Sequence, residues 1–300
     1  MKTLGAQTKI ALKNILFATD FEARADRALP FAATLATRYG AKLFAAHVIP
    51  QEAYAFARPD SAERTLREAQ DHAVCKLDKM ISPLQLQGLS CQALLGEGIA
   101  AEAIIGFART YAADLIVVGT SSRSGLGKLF LGSVAEEIIR DAPCPVLTVG
   151  PRVVSEAPEA FQSILCATDF SATSWRVVDF AVFLAHEFRA HLTLTHVVSG
   201  MLRDSPRLAI EVPEQGLRAL IPPEPQLDYE PQVVVEIGPV AEGILSVATE
   251  MAVDLIVMGA REVGAFAQTV SHFSSTTHEI ISVATCPVLT VSGTNERDYD

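Results

Sequence analysis

Short runs of apolar residues alternate along the first half of this chain with segments whose apolar positions recur at helical spacing. Runs typical of buried strands cover residues 13–19, 42–49, 90–95, 114–119 and 145–149. Helical spacing covers residues 22–39, 61–81, 99–112 and 132–141. Gly40 is placed to terminate the first of these helices, and the second is expected to end before Pro83.

This alternation of strands and helices predicts an α/β fold. Strands that are apolar throughout, each followed by a helix, form parallel sheets with helices on both faces. Right-handed crossovers restrict the topology to a doubly wound sheet. We expect five parallel strands in the order 3-2-1-4-5.

The second half of the chain repeats the first. Residues 15–21 match 164–170, residues 114–119 match 254–259, and residues 144–149 match 286–291. The period is too long for a solenoid unit, so each copy is a whole domain. The expected domains are 1–150 and 151–300, with the boundary near residues 150–160, where prolines flank a polar stretch.

One segment of the second copy departs from this plan. Between His196 and Gly238 it is shorter than its counterpart. Its prolines are Pro206, Pro213, Pro222, Pro223, Pro225 and Pro231. Interior prolines remove hydrogen bonds and clash with the preceding turn. We therefore expect a short helix and an irregular excursion in place of the long helix of the first copy.

Composition and charge narrow the class of protein. Apolar residues make up 49% of the chain and charged residues 20%, which supports packed cores and argues against disorder. The net charge of −11 argues against a nucleic-acid partner. We expect a cytoplasmic protein with no membrane partner, because no apolar run suits a secretory signal or a bilayer span. The five scattered cysteines, without a C-x-x-C pair, fit free thiols in a reducing compartment.

Candidate chemistry gathers where the strand order reverses, between the first and fourth strands. Open parallel sheets bind ligands at this position, beyond the carboxyl ends of their strands. Asp20 follows the first strand, and a glycine-rich loop runs from Gly119 to Gly132 and Ser133, where the next helix begins. Such a loop offers backbone N–H groups and the positive end of a helix dipole to an anion. Both charged residues inside the loop are positive.

These segments resemble the universal stress protein family, and specifically its tandem two-domain members, over nearly the whole chain. The likeness rests on the Ala-Thr-Asp-Phe ends of both first strands, the His-Val ends of both second strands, the loop, and both Cys-Pro-Val-Leu-Thr-Val strands. Family members that bind ATP have a Gly-x2-Gly-x9-Gly-Ser/Thr loop. Gly119 and the pair Gly132-Ser133 match that pattern, whereas Ser122 replaces the second glycine.

The resemblance implies that the N-terminal copy binds an adenine nucleotide, ATP with or without Mg²⁺. Asp20 and Val48 are then expected beside the nucleoside. The phosphates and ribose are expected beside Gly119, Gly132, Ser133 and Val134. The full set of expected nucleotide-binding residues is Ala18, Thr19, Asp20, Val48, Val118, Gly119, Ser122, Arg123, Lys128, Gly132, Ser133 and Val134. A serine at 122 costs about 1 kcal/mol if that position needs a positive φ, although its hydroxyl can also contact a phosphate.

The same residues also have purely structural interpretations. Asp20 can cap the helix that follows its strand. Gly132 and Ser133 can be a helix start and nothing more, and the two loop cations can be ordinary solvated charges. His47 and His196 end apolar strands, so we predict satisfied interior histidines there rather than ligands or bases.

Three functions fit these features. The first is a stress-response regulatory protein that binds ATP. The second is an enzyme on the same fold, and the third is a dimerisation or small-ligand scaffold with both loops degenerate. Fast phosphoryl transfer needs positioned cations and a water-orienting group. The loop supplies only two cations, so we expect no enzyme beyond slow ATP hydrolysis.

The two copies are expected to differ in ligand binding. Counted back from the Cys-Pro-Val strands, Ser274 stands where Gly132 stands, and Glu262 adds negative charge to a second loop that is two residues longer. A lost glycine hinders close backbone approach, and like charge opposes a triphosphate. As the resemblance implies, the edge strands 146–149 and 288–291 are expected to pair antiparallel within the chain, and whole chains to form homodimers.

Overall fold

The computed structural model of the chain describes residues 11–23, 25–51, 59–120, 131–153, 157–172, 174–199, 206–222, 227–260 and 275–292. Three of the expected nucleotide-binding residues, Ser122, Arg123 and Lys128, lie outside these ranges, as do Glu262 and Ser274 of the second loop.

The N-terminal domain alternates strands and helices as the sequence pattern predicts. Its strands are β1 (Asn14–Ala18), β2 (Lys42–Ile49), β3 (Cys91–Glu97), β4 (Leu115–Gly119) and β5 (Val146–Val149). Its helices are α1 (Leu29–Tyr39), α2 (Pro59–Leu86), α3 (Ala100–Thr110) and α4 (Ser133–Asp141), with a 3₁₀ turn at Ala25–Ala28 before α1.

The C-terminal domain has the same order of elements. Its strands are β6 (Ser163–Ala167), β7 (His191–Val198), β8 (Gln232–Ile237), β9 (Leu255–Gly259) and β10 (Val288–Val291). Its helices are α5 (Ser174–Phe188), α6 (Pro206–Leu220), α7 (Val240–Glu250) and α8 (Ser275–Val283). Within the described residues, no helix combines the length and the apolar character needed to cross a bilayer.

One sheet runs through both domains. Its strand order is β3-β2-β1-β4-β5-β10-β9-β6-β7-β8, so each domain has the predicted order 3-2-1-4-5. Pairing is parallel inside each domain and antiparallel between β5 and β10, where Val288 faces Thr148 and Leu289 faces Leu147. The predicted antiparallel pairing of the two final strands is therefore confirmed.

Two hydrophobic cores cover the two faces of this sheet, and each one continues across the domain boundary. Side chains alternate along every strand, so Ile15 and Phe17 enter one core while Leu16 enters the other. Helices α1, α2, α5 and α6 cover the first face, and α3, α4, α7 and α8 cover the second. Helices thus lie on both faces, as predicted.

The prediction for the start of the first helix was wrong by several residues. Continuous α-helix begins at Leu29 rather than near residue 22, after the 3₁₀ turn. Pro30 stands in the first helical turn, where a missing N–H costs nothing. The residues upstream instead form a compact corner described below.

Two helices continue through prolines that were expected to end or shorten them. Helix α2 continues through Pro83 for another turn, in which Leu84 packs against the core, and it closes at Gly88 with φ 89°. Helix α6 is shorter than α2, 15 against 28 residues, but it runs through Pro213 instead of breaking. In both helices the burial of flanking side chains outweighs the lost hydrogen bond.

The domain boundary is close-packed on both sides of the β5–β10 pair. A Cβ at Gly150 would lie 2.3 Å from the Ile281 carbonyl oxygen of α8. At the equivalent position of the second domain, the Ser292 hydroxyl donates to the Ala142 carbonyl at 3.4 Å. On the other face of the sheet, the Tyr39 ring stacks on Phe183 at 5.9 Å between ring centroids.

This contact generates a stability prediction. Gly150→Ala should lower the free energy of unfolding by about 1–3 kcal/mol, because β5 and α8 must separate to admit a methyl group. Ser292→Ala removes one long hydrogen bond at the equivalent position and should cost about 1 kcal/mol or less. Urea unfolding of the two variants measures the difference, and equal losses would contradict the prediction.

Candidate functional site

The elements predicted to form a ligand site meet at the carboxyl edge of the N-terminal sheet. Strand β1 lies between β2 and β4, with Ala18 beside Ala46 and Val118. The chain leaves β1 at Thr19 and β4 at Gly119. Helix α4 supplies Ser133 on the same face of the sheet as α3. The topological switch point therefore lies between the ends of β1 and β4, as expected.

Residues 19–22 form a corner that is held by its own side chains. The Thr19 hydroxyl donates to Asp26 at 2.7 Å and accepts the Phe21 N–H at 2.9 Å. One Asp20 carboxylate oxygen accepts the Glu22 N–H at 2.9 Å. Asp20 therefore stabilises this local turn, and it does not cap α1, whose N-cap is Ala28.

His47 ties the corner to the neighbouring strand. Its Nδ1 lies 2.8 Å from the Thr19 carbonyl oxygen, so Nδ1 carries the proton and donates. Burial lowers the pKa of His47, and the hydrogen bond to Thr19 and the charge of Asp20 oppose this shift only in part. The satisfied interior histidine that the sequence predicts is therefore confirmed for His47.

Phe21 covers this histidine in an unusual backbone conformation. Its φ is 62°, in the left-handed region that a bulky residue rarely adopts. The centroid of the Phe21 ring lies 4.1 Å from that of the His47 ring. The Lys76 ammonium of α2 lies 5.0 Å from the centroid of the same Phe21 ring. Such a cation–π contact places a positive charge beside the end of β1.

Lys76 was missed by the sequence analysis. The sequence around it is typical of a charged amphipathic helix on the surface. The one feature that could have pointed to Lys76 is its position directly before Leu77, which is fully buried. In α6 the fully buried Leu217 follows Gly216 in the same way. A Cβ at Gly216 would lie 3.0 Å from the Phe170 ring, so this aromatic ring packs against helix backbone where Phe21 meets an ammonium.

The corner itself recurs in the C-terminal domain. Thr168 accepts the Phe170 N–H, Asp169 accepts the Ser171 N–H at 3.0 Å, and Phe170 has φ 58°. The Nδ1 atom of His196 lies 2.8 Å from the Thr168 carbonyl oxygen, which confirms the second satisfied histidine. The two domains therefore share the backbone of the corner and differ in the charge above it.

Gly119 is explained by packing. A Cβ there would lie 2.4 Å from the Ala25 carbonyl oxygen and 2.6 Å from its Cα, because the 3₁₀ turn crosses directly over the end of β4. At the matching Gly259, a Cβ would make only an ordinary contact of 3.6 Å with Val177. The fold alone thus requires glycine at 119.

Gly132 has no such explanation in the packing. It is the N-cap of α4 with φ −63° and ψ 145°, an extended conformation open to any residue. Among the described residues, no atom lies within 4 Å of the position that its Cβ would take. No side chain of the described residues caps the helix, and the first hydrogen bond within it runs from the Glu136 N–H to the Gly132 carbonyl. The N–H groups of Ser133, Val134 and Ala135 therefore have no acceptor within the helix.

The remaining predicted residues contribute unequally to this surface. Val48 and Val118 are buried in the core, so only their backbones can face a ligand. Ala18 is half-buried, and the Thr19 side chain is committed to the corner. Val134, in contrast, exposes 42% of its surface at the start of α4. Asp20, Gly132 and Ser133 leave surface open as well.

Comparison with known proteins gives a consistent family. The model of the universal stress protein family matches residues 11–150 and again residues 160–292. A universal stress protein of Methanocaldococcus jannaschii is 32% identical over 141 residues, which cover 46% of this chain and 81% of the relative. One from Thermus aquaticus is 37% identical over 139 residues, covering 46% and 98%.

A solved structure matches over both domains. The crystal structure of a universal stress protein from Archaeoglobus fulgidus superposes with a TM-score of 0.72 at 21% identity, covering 94% of this chain and 98% of that one. At this identity the likeness establishes the fold, including the succession of two doubly wound domains.

The contrast between the two strand-end glycines can be tested. Gly119→Ala should lower the free energy of unfolding by about 1–3 kcal/mol, because the added methyl group collides with the Ala25 backbone. The matched Gly259→Ala should change it by no more than about 0.5 kcal/mol. Thermal and urea unfolding measure both, and a Gly119→Ala variant as stable as Gly259→Ala would show that the 3₁₀ turn does not press on β4.

Proposed function

This chain belongs to the universal stress protein family, and we propose that it is a stress-response regulatory protein that binds ATP in its N-terminal domain. The open start of α4 carries this proposal. Gly132 supplies an N-cap without a side chain, and the fold does not account for that glycine. A helix N-terminus with free N–H groups and a positive dipole end suits a phosphate group.

The position of this helix start fits a nucleotide rather than a bare phosphate. It lies on the carboxyl edge of the sheet, at the switch point where doubly wound folds bind mononucleotides. Ser133 and Val134 would face the phosphates and ribose, and the corner at Asp20 would border the nucleoside. Lys76 adds a positive charge over the Phe21 ring, beside the end of β1.

The C-terminal domain offers less to a triphosphate. Helix α8 begins at Ser275, which matches Ser133, so the position of Gly132 is taken by Ser274 in the sequence. Gly216 takes the place of Lys76 above the corner, so the charge is missing there. We therefore propose one ATP site per chain.

We also propose a cytosolic protein that forms dimers of whole chains. All five cysteines are free thiols, as a reducing compartment requires. Strands β5 and β10 already pair with each other, so a dimer must use another surface of the molecule.

Calorimetry with ATP tests the assignment of the site. The unaltered chain should bind one ATP, and Gly132→Asp should abolish binding because a carboxylate would stand at the phosphate position. The matched Ser274→Asp should leave the affinity nearly unchanged. A stoichiometry of two would show that both domains bind ATP, and the reverse response of the two variants would place the site in the C-terminal domain; either result would contradict the assignment. No binding by the unaltered chain would favour the scaffold function instead.

Slow turnover is a separate prediction. Bound ATP should stay largely intact for many minutes, because two polar side chains that follow β1 are engaged in the corner: Thr19 with Asp26, and Asp20 with the Glu22 N–H. Chromatography of the nucleotide after incubation measures this. Phosphate release above about 1 per second would indicate an enzyme, as would hydrolysis lost in Asp20→Ala while binding persists.

A further inference from the structure

A hydrogen bond from the C-terminal domain reaches the residue before the open helix start. The Leu131 N–H donates to Nε2 of His278 in α8 at 3.0 Å. We propose that His278 is a positioning residue for the ATP site of the N-terminal domain, so that the C-terminal domain sets how tightly the site binds. This inference rests on the proposed function.

The chemistry of the contact fixes the state of the imidazole. A backbone N–H can only donate, so Nε2 must present its lone pair and Nδ1 must carry the proton. A doubly protonated ring has no acceptor to offer, and an aliphatic side chain has none either. The contact therefore requires a neutral acceptor at the reach of a histidine ε nitrogen.

Leu131 is in turn held from two sides. Leu131 is buried in the core below α4, with 5% of its surface exposed. Its N–H donates to the other domain. The next two residues are Gly132 and Ser133, where the N–H groups that have no acceptor within the helix begin. The direction of these groups follows from the position of Leu131, and preorganised donors bind an anion better than donors that must first be ordered.

The position of His278 is itself fixed by the domain boundary. Ile281 lies three residues later on α8, on the same side of the helix, and its carbonyl oxygen presses against Gly150 at the end of β5. The strand pair β5–β10 and this contact prevent α8 from sliding along the N-terminal domain. His278 therefore acts as a rigid external support for the start of α4.

The equivalent position in the N-terminal domain has a different chemistry. Counted from the matched Cys-Pro-Val strands, Glu136 of α4 corresponds to His278 of α8. A carboxylate could also accept an N–H, but at position 278 it would add negative charge beside the helix end that binds the phosphates. The neutral imidazole supports Leu131 without repelling the anion.

Calorimetry of full-length variants tests the proposal. His278→Leu retains a similar volume without an acceptor, and it should weaken ATP binding roughly tenfold, the factor that about 1.4 kcal/mol from one unmade hydrogen bond produces. His278→Gln returns an acceptor near the ε position and should restore most of the affinity. His186→Leu makes the same exchange at an exposed position in the last turn of α5, and should change nothing.

The outcomes separate this proposal from the proposed function. ATP binding that is indifferent to His278→Leu overturns the positioning role alone, and so does a His278→Gln variant as weak as His278→Leu, because packing and not the acceptor would then matter. An unaltered chain that does not bind ATP overturns both.

A second measurement needs no variant. Coupling between two sites is reciprocal, so ATP should slow amide hydrogen exchange in Ser275–Val283 of α8 as well as at the start of α4. Protection confined to the N-terminal domain would contradict the proposal.

Discussion

The antiparallel contact between β5 and β10 is the interaction on which the rest of this molecule depends. Each domain alone would have a short apolar strand at the edge of its sheet, Val146–Val149 or Val288–Val291. The backbone groups on the outer side of that strand would be unpaired. Pairing the two edges satisfies those groups and joins two five-stranded sheets into one. The cores on both faces then run through the whole chain, and α8 comes to lie against the end of β5 at Gly150.

Much of this architecture could be predicted from the sequence, because buried parallel strands appear as apolar runs and the repeated segments mark the same elements in both domains. Local rules failed where tertiary packing opposes them. Proline at 83 or 213 costs about 3 kcal/mol in a helix interior, but each buried aliphatic side chain contributes about 1.5–3 kcal/mol. Helix α6 buries Ala209 before its proline and Leu217 after it, and these contacts hold the helix together.

The candidate site was less predictable, since several of its features arise only from chain crossings. The glycine at 119 matches the nucleotide-binding pattern, but it is required by the Ala25 backbone, which no sequence pattern places there. The left-handed Phe21 contradicts its own local preference and is stabilised by the His47 ring and the Thr19 hydroxyl. Lys76 reaches the site from a helix that looks like any charged surface helix. At Gly132, the other glycine that matches the pattern, no described atom would contact an added Cβ, so packing among the described residues does not require glycine there.

The covalent joining of two copies has a physical consequence for such a site. In a symmetric dimer of identical domains every interface residue occurs twice, so a side chain that supports one loop must also stand beside the other. Fusion removes this constraint. Position 278 can hold a neutral acceptor for Leu131 while the equivalent position in α4 holds Glu136. In the same way Lys76 can stand over the Phe21 ring while the equivalent position against Phe170 holds Gly216. The shared backbone thus fixes the geometry of both halves, and residues that differ between equivalent positions give the two halves different charges at the carboxyl edge of the sheet.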